Sequence, residues 1–236
     1  MPVSRIGLIT VLATVTAILA GCVTTTQQTG HTLPKDEGAR RIIVLPPDVE
    51  LSILHAGGQT EVNAEWTQNA RRHVADDLAD RFRQMRIALV NGDKIAPESV
   101  GDAKEIQLLK LHEVVGAAIL HHQYQGPRQL PTKVNSFAWS LGPETRHLAT
   151  KYRGDYALFV YVRDSYSSDA RIATMIIAAA FGVGIQGGTQ LGYASLVDLH
   201  SGNVVWFNVL ARATGDLRTA EAAQETVNLL LANFPQ

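Results

Sequence analysis

Cysteine is nearly absent: Cys22 stands alone among 236 residues. A lone cysteine closes no internal disulfide, so the core must hold by packing. A surplus of either charge is also missing, with 21 basic and 22 acidic side chains. If residues 1–21 are removed, Arg5 goes with them and 20 basic side chains face 22 acidic ones. Near neutrality argues against the basic face that nucleic-acid binding needs, so no nucleic-acid partner is expected. No apolar run reaches the roughly 20 residues that cross a bilayer core. No HExxH is present for zinc, no GxSxG for a serine nucleophile, and no repeat at solenoid spacing.

What is present begins at the N-terminus. Arg5 precedes residues 6–19, apolar except for Gly7, Thr10, Thr14 and Thr16. A short basic start before such a run reads as an export signal. Leu19-Ala20-Gly21-Cys22 follows. Small residues before an expected cut would let an extended backbone enter a peptidase, and a cysteine after it would supply a thiol for diacylglycerol. The quartet resembles the lipobox of bacterial lipoproteins. The expected organisation is a signal peptide at 1–21, an acylated Cys22 with a flexible tether at 22–39, and a single periplasmic α/β domain at 40–236. Two or more acyl chains make a bilayer attachment durable. Val23 stands where an aspartate would resemble the inner-membrane retention signal, so the periplasmic face of the outer membrane is expected. An ordinary secretory signal or an uncleaved anchor is the alternative. Residues 23–39 are polar and carry Gly30, Pro34 and Gly38, and His31 lies among them.

In the domain, residues 42–46 predict a buried strand stopped by Pro46-Pro47. Residues 48–60 are ambiguous around the Gly57-Gly58 turn. Trp66, Ala70, Val74, Leu78, Phe82 and Met85 form one stripe of a helix over 63–85. Residues 86–90 extend it or form a strand, the strand being preferred, before Asn91-Gly92. A second helix covers 102–123 with Ile106, Leu109, Val114, Ala117 and Leu120 inward. Val115, Ala118 and Ile119 fit nearly as well. Residues 124–135 read as a loop, 136–140 as a short strand, and 143–152 as a helix with Pro143 at its start. The strongest strand is 155–163, covered on both faces. It is followed by a polar turn over 164–169, with Ser168 or Asp169 capping the next helix. Residues 170–181 are apolar except for Arg171 and Thr174. Strands 190–199 and 203–211 form a hairpin about Ser201-Gly202, and 218–233 is a final helix with Ala222, Val227, Leu230 and Leu231 inward. The fold class is α/β or α+β: a mixed sheet flanked by helices, with a C-terminal hairpin followed by a helix.

Several constellations invite a functional reading, and each has a structural one beside it. Gly182-x-Gly184-x-x-Gly187 matches a dinucleotide fingerprint in spacing. It follows a helix-like run rather than a strand, so no nucleotide and no cofactor is expected. The uncharged stretch 172–185, with Ile176, Ile177, Phe181, Gly182 and Gly184, reads as core or as an oligomer interface. Membrane contact is the remaining alternative. His112, Glu113, His121, His122 and His147 lack the spacing of a metal site, and solvated or capping histidines are expected. His200 is expected to be exposed at the hairpin turn, while His55 and His73 have no evident partner. Glu61 and Glu65 read as first-turn glutamates of a helix. No catalytic residue is assigned. Arg163 and Asp164 end the strongest strand, where α/β sheets present ligand sites. With Ser165 and Tyr166 they form a candidate partner or ligand surface, a structural salt bridge being the alternative.

Residues 154–159 (GDYALF) and 194–206 (ASLVDLHSGNVVW) carry a resemblance to exported lipoproteins. These are proteins with the periplasmic domain of the curli-secretion-channel, penicillin-binding-protein-activator and TolB-N-terminal type. Asp198, Gly202 and Trp206 match their strand-pair pattern, and Gly154 stands where such proteins often have alanine. The likeness spans roughly 150–212. It implies envelope assembly or regulation through protein contacts, and it implies no pore. The leading expectation is a non-catalytic, membrane-anchored module that binds another envelope protein or self-associates through 172–188. The alternatives are an envelope hydrolase acting on peptidoglycan or polysaccharide, and a glycan- or lipid-binding module. A solvent-open pocket joining Arg163 and Asp164 to a carboxylate or histidine favours the hydrolase, and an exposed apolar patch over 172–188 favours the first.

Overall fold

The structure is a computed structural model that describes residues 25–30, 41–90, 95, 102–124, 128–213 and 216–235. The expected leader, Cys22, His31 and the Asn91-Gly92 turn lie outside the described residues. The strands are β1 (Thr25–Gly30), β2 (Ile42–Val44), β3 (Asp48–Leu54), β4 (Thr60–Val62), β5 (Tyr156–Ser167), β6 (Gln190–Asp198) and β7 (Val204–Arg212). The helices are α1 (Ala64–Gln84), α2 (Ala103–Gln123), α3 (Arg146–Tyr152), α4 (Asp169–Ala180) and α5 (Ala220–Leu230). All seven strands belong to one mixed sheet in the order β1-β7-β6-β5-β3-β4, with β2 also paired to β5. The fold is mixed α/β with helices on both faces of the sheet, and it closes with a hairpin and a helix.

β2 and β3 are two halves of one line of chain. Both run parallel to β5, β2 beside 156–158 and β3 beside 161–167. The break falls at Pro46-Pro47, where the ladder loses its N–H donors. The ambiguous stretch 48–60 thus becomes β3 and the start of β4, joined through Gly58, whose φ of +86° suits a residue without Cβ.

One face of β5 packs Leu158, Val160 and Val162 against α1 and α5, through Val74, Leu78, Phe82, Val227 and Leu230. The other packs Ala157 and Phe159 with Tyr193, Phe207, Leu108, Ile119 and Leu148. α1 forms as its periodicity predicts. Asn63 caps it by accepting from Trp66 N at 2.9 Å, and Ala70, Val74, Leu78 and Phe82 are buried. The hairpin turns at Gly202, at φ +78°. In α5 the buried residues include Ala223 and Thr226 as well as Val227 and Leu230, whereas Ala222 is only half-buried.

Elsewhere the chain departs from expectation. Thr25–Gly30, inside the expected tether, pairs antiparallel with β7 as an edge strand. Sheet pairing is made by backbone groups, so a polar segment joins an edge without a core of its own. In 86–90 only Leu89 bridges to Ile42, because Arg86 turns the chain at φ +59°. In 136–140 only Ser140 bridges, to Asn203. α2 is rotated from its expected face: Glu105, Leu108, His112, Gly116 and Ile119 are buried, while Ile106 and Val114 are exposed. Its apolar residues lie all round the helix, so periodicity sets no face and contact with the sheet decides. Gly116 makes that contact, since a Cβ there would fall 2.1 Å from the Tyr193 ring.

Candidate functional site

β5 does not stop at Arg163. It runs to Ser167, so the first four residues of the polar turn expected over 164–169 are the last third of the longest strand among the described residues. β3 pairs with 161–167 on one side and β6 with 156–164 on the other. Backbone pairing on both sides carries the strand through a polar stretch that side-chain pattern alone reads as a turn. Ser168 then caps α4, accepting from Arg171 N at 3.2 Å.

Strand alternation sends Arg163 and Asp164 to opposite faces. The Arg163 guanidinium donates to Asp48 Oδ1 at 2.9 Å and to the Asp48 carbonyl at 3.1 Å. It also pairs with Glu113 at 3.5 Å and lies 4.0 Å from the centroid of the Tyr161 ring. Lys110 reaches Glu113 at 3.0 Å, so the cluster ties α2 to β3 and β5.

Asp164 is buried on the other face. It accepts from Tyr166 Oη, from Gln190 Nε2 at 2.9 Å and from Leu217 N at 3.3 Å. Burial raises its pKa against the opposing pull of these donors. Burial and the neighbouring Asp164 carboxylate likewise raise the Tyr166 phenol. The network continues inward. Arg212 donates to Gln190 Oε1 and to Thr226 Oγ1, both at 2.7 Å, and pairs with Glu225 at 3.0 Å. One hydrogen-bonded chain therefore joins the ends of β5, β6 and β7 to α5 and to the turn before it.

Ser165 shares a face with Arg163. Its Oγ donates to the Thr189 carbonyl at 3.2 Å and accepts from Thr189 N at 3.0 Å. An open cleft of about 420 Å³ lies over this part of the sheet, lined by Glu50, Ser52, Arg163, Asp164, Ser165, Thr189 and Leu191; it brings Arg163 and Asp164 together with the carboxylate of Glu50, although the Asp164 side chain itself is buried and internally bonded. A smaller one of about 140 Å³ lies beside Tyr166 and Gly188. The four candidate residues are neighbours in sequence, but their side chains are held in three separate sets: Arg163 with Asp48 and Glu113, Asp164 with Tyr166 and Gln190, and Ser165 with Thr189. Arg163 forms an ion pair with Asp48, not with its neighbour Asp164.

The histidines are equally dispersed. His112 is fully buried rather than solvated, bonded through Nε2 to Ser195 Oγ at 2.7 Å and stacked on Phe159. Burial pushes its pKa down to about 3. His147 pairs with Asp102 at 2.8 Å, joining α3 to the N-cap of α2. His55 pairs with Glu61 at 3.0 Å. Glu61 lies in β4, ahead of the helix start. Among the described residues no group of three or more His, Cys, Asp or Glu is placed to hold a metal ion.

The stretch read as core or interface is outside the core. α4 has no buried residue; Ile176 is 66% exposed, Ile177 62% and Phe181 82%. Gly182 ends the helix at φ +76°, and Gly182 and Gly184 are exposed beside it. The helix is the connection between antiparallel neighbours β5 and β6, and none of its residues is buried against a face of the sheet. Among the described residues no helix is long and apolar enough to cross a membrane.

Sequence reasoning missed the Gln190–Arg212–Thr226 chain and the His112–Ser195 bond. The partners are 14 to 83 residues apart, and no local spacing marks them.

No protein-family model matches the chain, and no curated protein matches it in sequence. Among solved structures it is similar to the PelC dodecamer from Paraburkholderia phytofirmans, at a TM-score of 0.40 and 16% identity over 89% of this chain and 96% of that one. A single-site variant of that dodecamer gives a TM-score of 0.40 and 15% identity over the same shares.

Proposed function

We propose that the protein is an envelope lipoprotein, anchored by acylated Cys22 at the periplasmic face of the outer membrane. Its folded domain works by binding another envelope protein, or further copies of itself, rather than by catalysis. The observation that carries this reading is the internal bonding of Asp164 and Arg163; in the open cleft beside them the exposed carboxylate is Glu50, 4.0 Å from Arg163, and among the described residues no histidine lines it. A hydrolase needs a carboxylate or histidine open to substrate beside a second reacting group. Here Arg163 and Asp164 face opposite ways, and each is held by internal partners. Fully bonded clusters of this kind rigidify a surface for recognition.

The test is in-cell crosslinking of the acylated protein from a photoreactive residue at Ser52, in the open cleft. A discrete protein adduct, with an envelope protein or a second copy, is expected. Recovery of lipid alone, or release of soluble fragments when the purified protein is incubated with peptidoglycan, overturns the proposal. Cys22→Ser is expected to move the chain from the membrane to the soluble periplasmic fraction with its fold intact. A variant that stays in the membrane pellet removes the anchor.

A further inference from the structure

We infer that α4 and the turn after it enter the lipid of the membrane to which the chain is anchored, as a second, non-covalent contact. The inference rests on the proposed acylation of Cys22 for its orientation only.

Sheet register supplies the first argument. Thr25 of β1 pairs with Ala211, Ala211 with Leu191, and Leu191 with Arg163. The start of β1 therefore lies at the same end of the sheet as the end of β5, where α4 begins. Cys22 precedes Thr25 by three residues, a reach of at most about 11 Å. An acyl chain there brings this end of the sheet, and α4 with it, to the bilayer.

The chemistry of the helix supplies the second. Residues 172–185 hold no charged side chain. The charges sit at its root: Asp169 is in the first turn, and Arg171 donates to the His55 carbonyl at 3.1 Å and to the Gln186 carbonyl at 2.6 Å. The large apolar side chains of Ile172 and Phe181, and of Val183 in the turn, are well exposed, at 45%, 82% and 54%. At 3.6 residues per turn, the exposed side chains from Ala179 through Ile176 and Ile177 to Phe181 take in about half of the helix circumference. A packed partner helix covers a stripe about 100° wide, whereas a lipid solvent surrounds what enters it.

The backbone at the tip is closed as well. Gly182 N donates to the Ala179 carbonyl at 3.0 Å and Val183 N to the Ala178 carbonyl at 2.9 Å. This is a Schellman turn, which satisfies carbonyls that would otherwise be costly in hydrocarbon. Twelve residues make a helix of about 18 Å, so it reaches into one leaflet and does not span.

The test uses the acylated full chain on vesicles of phosphatidylethanolamine and phosphatidylglycerol. Cys22 is the chain's one cysteine and is blocked by acylation, so Phe181→Cys supplies a unique thiol for an environment-sensitive fluorophore. Ser201→Cys, at the opposite end of the sheet, is the control. A fluorescence rise at residue 181, quenched by spin-labelled acyl chains and absent at residue 201, is the expected result. A vesicle-bound protein with no acyl-chain quenching at residue 181 overturns the inference and leaves the anchor standing. A rise that grows with protein concentration without vesicles also overturns it, and assigns the helix to a second copy. Intact mass reports acylation separately. Without acylation the inference is read from the Cys22→Ser chain, whose flotation with the same vesicles should fall at least about tenfold on adding Phe181→Asp. Equal flotation of the two overturns it.

Discussion

His112 makes the stability of this fold depend on pH in a calculable way. Its ring is buried between Phe159 and Tyr193, with Ser195 as hydrogen-bond partner. Burial pushes its pKa from 6.5 down to about 3, with Asp48 pulling weakly the other way. The unfolded chain therefore takes up a proton near 6.5, and the folded chain only near 3. Between those values the unfolded state binds more protons, so stability falls as the pH falls. At about 1.4 kcal/mol per unit, going from pH 7 to pH 5 removes about 2 kcal/mol through this group. Asp77 acts oppositely. Burial, and then Asp80 and Asp76, raise its pKa from 3.8 to about 6, so the folded state takes the proton first and acidification through that window adds stability. Comparison with His112→Phe cancels the contribution of Asp77, which both proteins share. The variant leaves the buried Ser195 hydroxyl unpaired and should be less stable than wild type at pH 7 by about 1–3 kcal/mol. Urea titrations of the Cys22→Ser chain at pH 7 and pH 5 should show that gap shrinking by about 2 kcal/mol, or about 4–8 °C in Tm for a domain of this size. A gap constant to within about 0.5 kcal/mol, the spread of surface substitutions, refutes a neutral buried His112.

Three further substitutions probe the packing. Gly116→Ala brings a Cβ into the Tyr193 ring and should cost about 1–3 kcal/mol, although alanine is the better helix former; a stabilised variant in urea unfolding places that ring elsewhere. Leu78→Ala, at a fully buried site on α1, should cost about 2–5 kcal/mol by cavity formation, and a loss below about 0.5 kcal/mol refutes that burial. Asp164→Ala leaves the Tyr166 and Gln190 donors short of an acceptor, while Leu217 N keeps Tyr166 Oη at 2.8 Å, and should cost about 3 kcal/mol in urea unfolding; a loss below about 0.5 kcal/mol contradicts the network.

α1 was legible because Ala70, Val74, Leu78 and Phe82 recur at one face and polar residues hold the rest. The β6–β7 hairpin was legible because Ser201-Gly202 interrupts two runs of β-branched and aromatic residues. α2 was not, because apolar residues on every side leave its rotation to Gly116 and the Tyr193 ring. Of the candidate site, the sequence marked Arg163 and Asp164 as unusual at a strand end. Their division between two faces depended on β5 continuing past them, which only the pairing of β3 and β6 with it could fix.

From the sequence alone come the alternation of elements, the mixed sheet flanked by helices, the helical stripe of α1 and a cap at Ser168 or Asp169. These arise within a few residues of chain, where periodicity and capping act. The tertiary structure decided how far β5 runs, which side α2 buries, the Asp164–Gln190–Arg212 chain, and the exposure of α4. Each of these depends on groups brought together from distant parts of the chain, and local physical chemistry does not act over such separations.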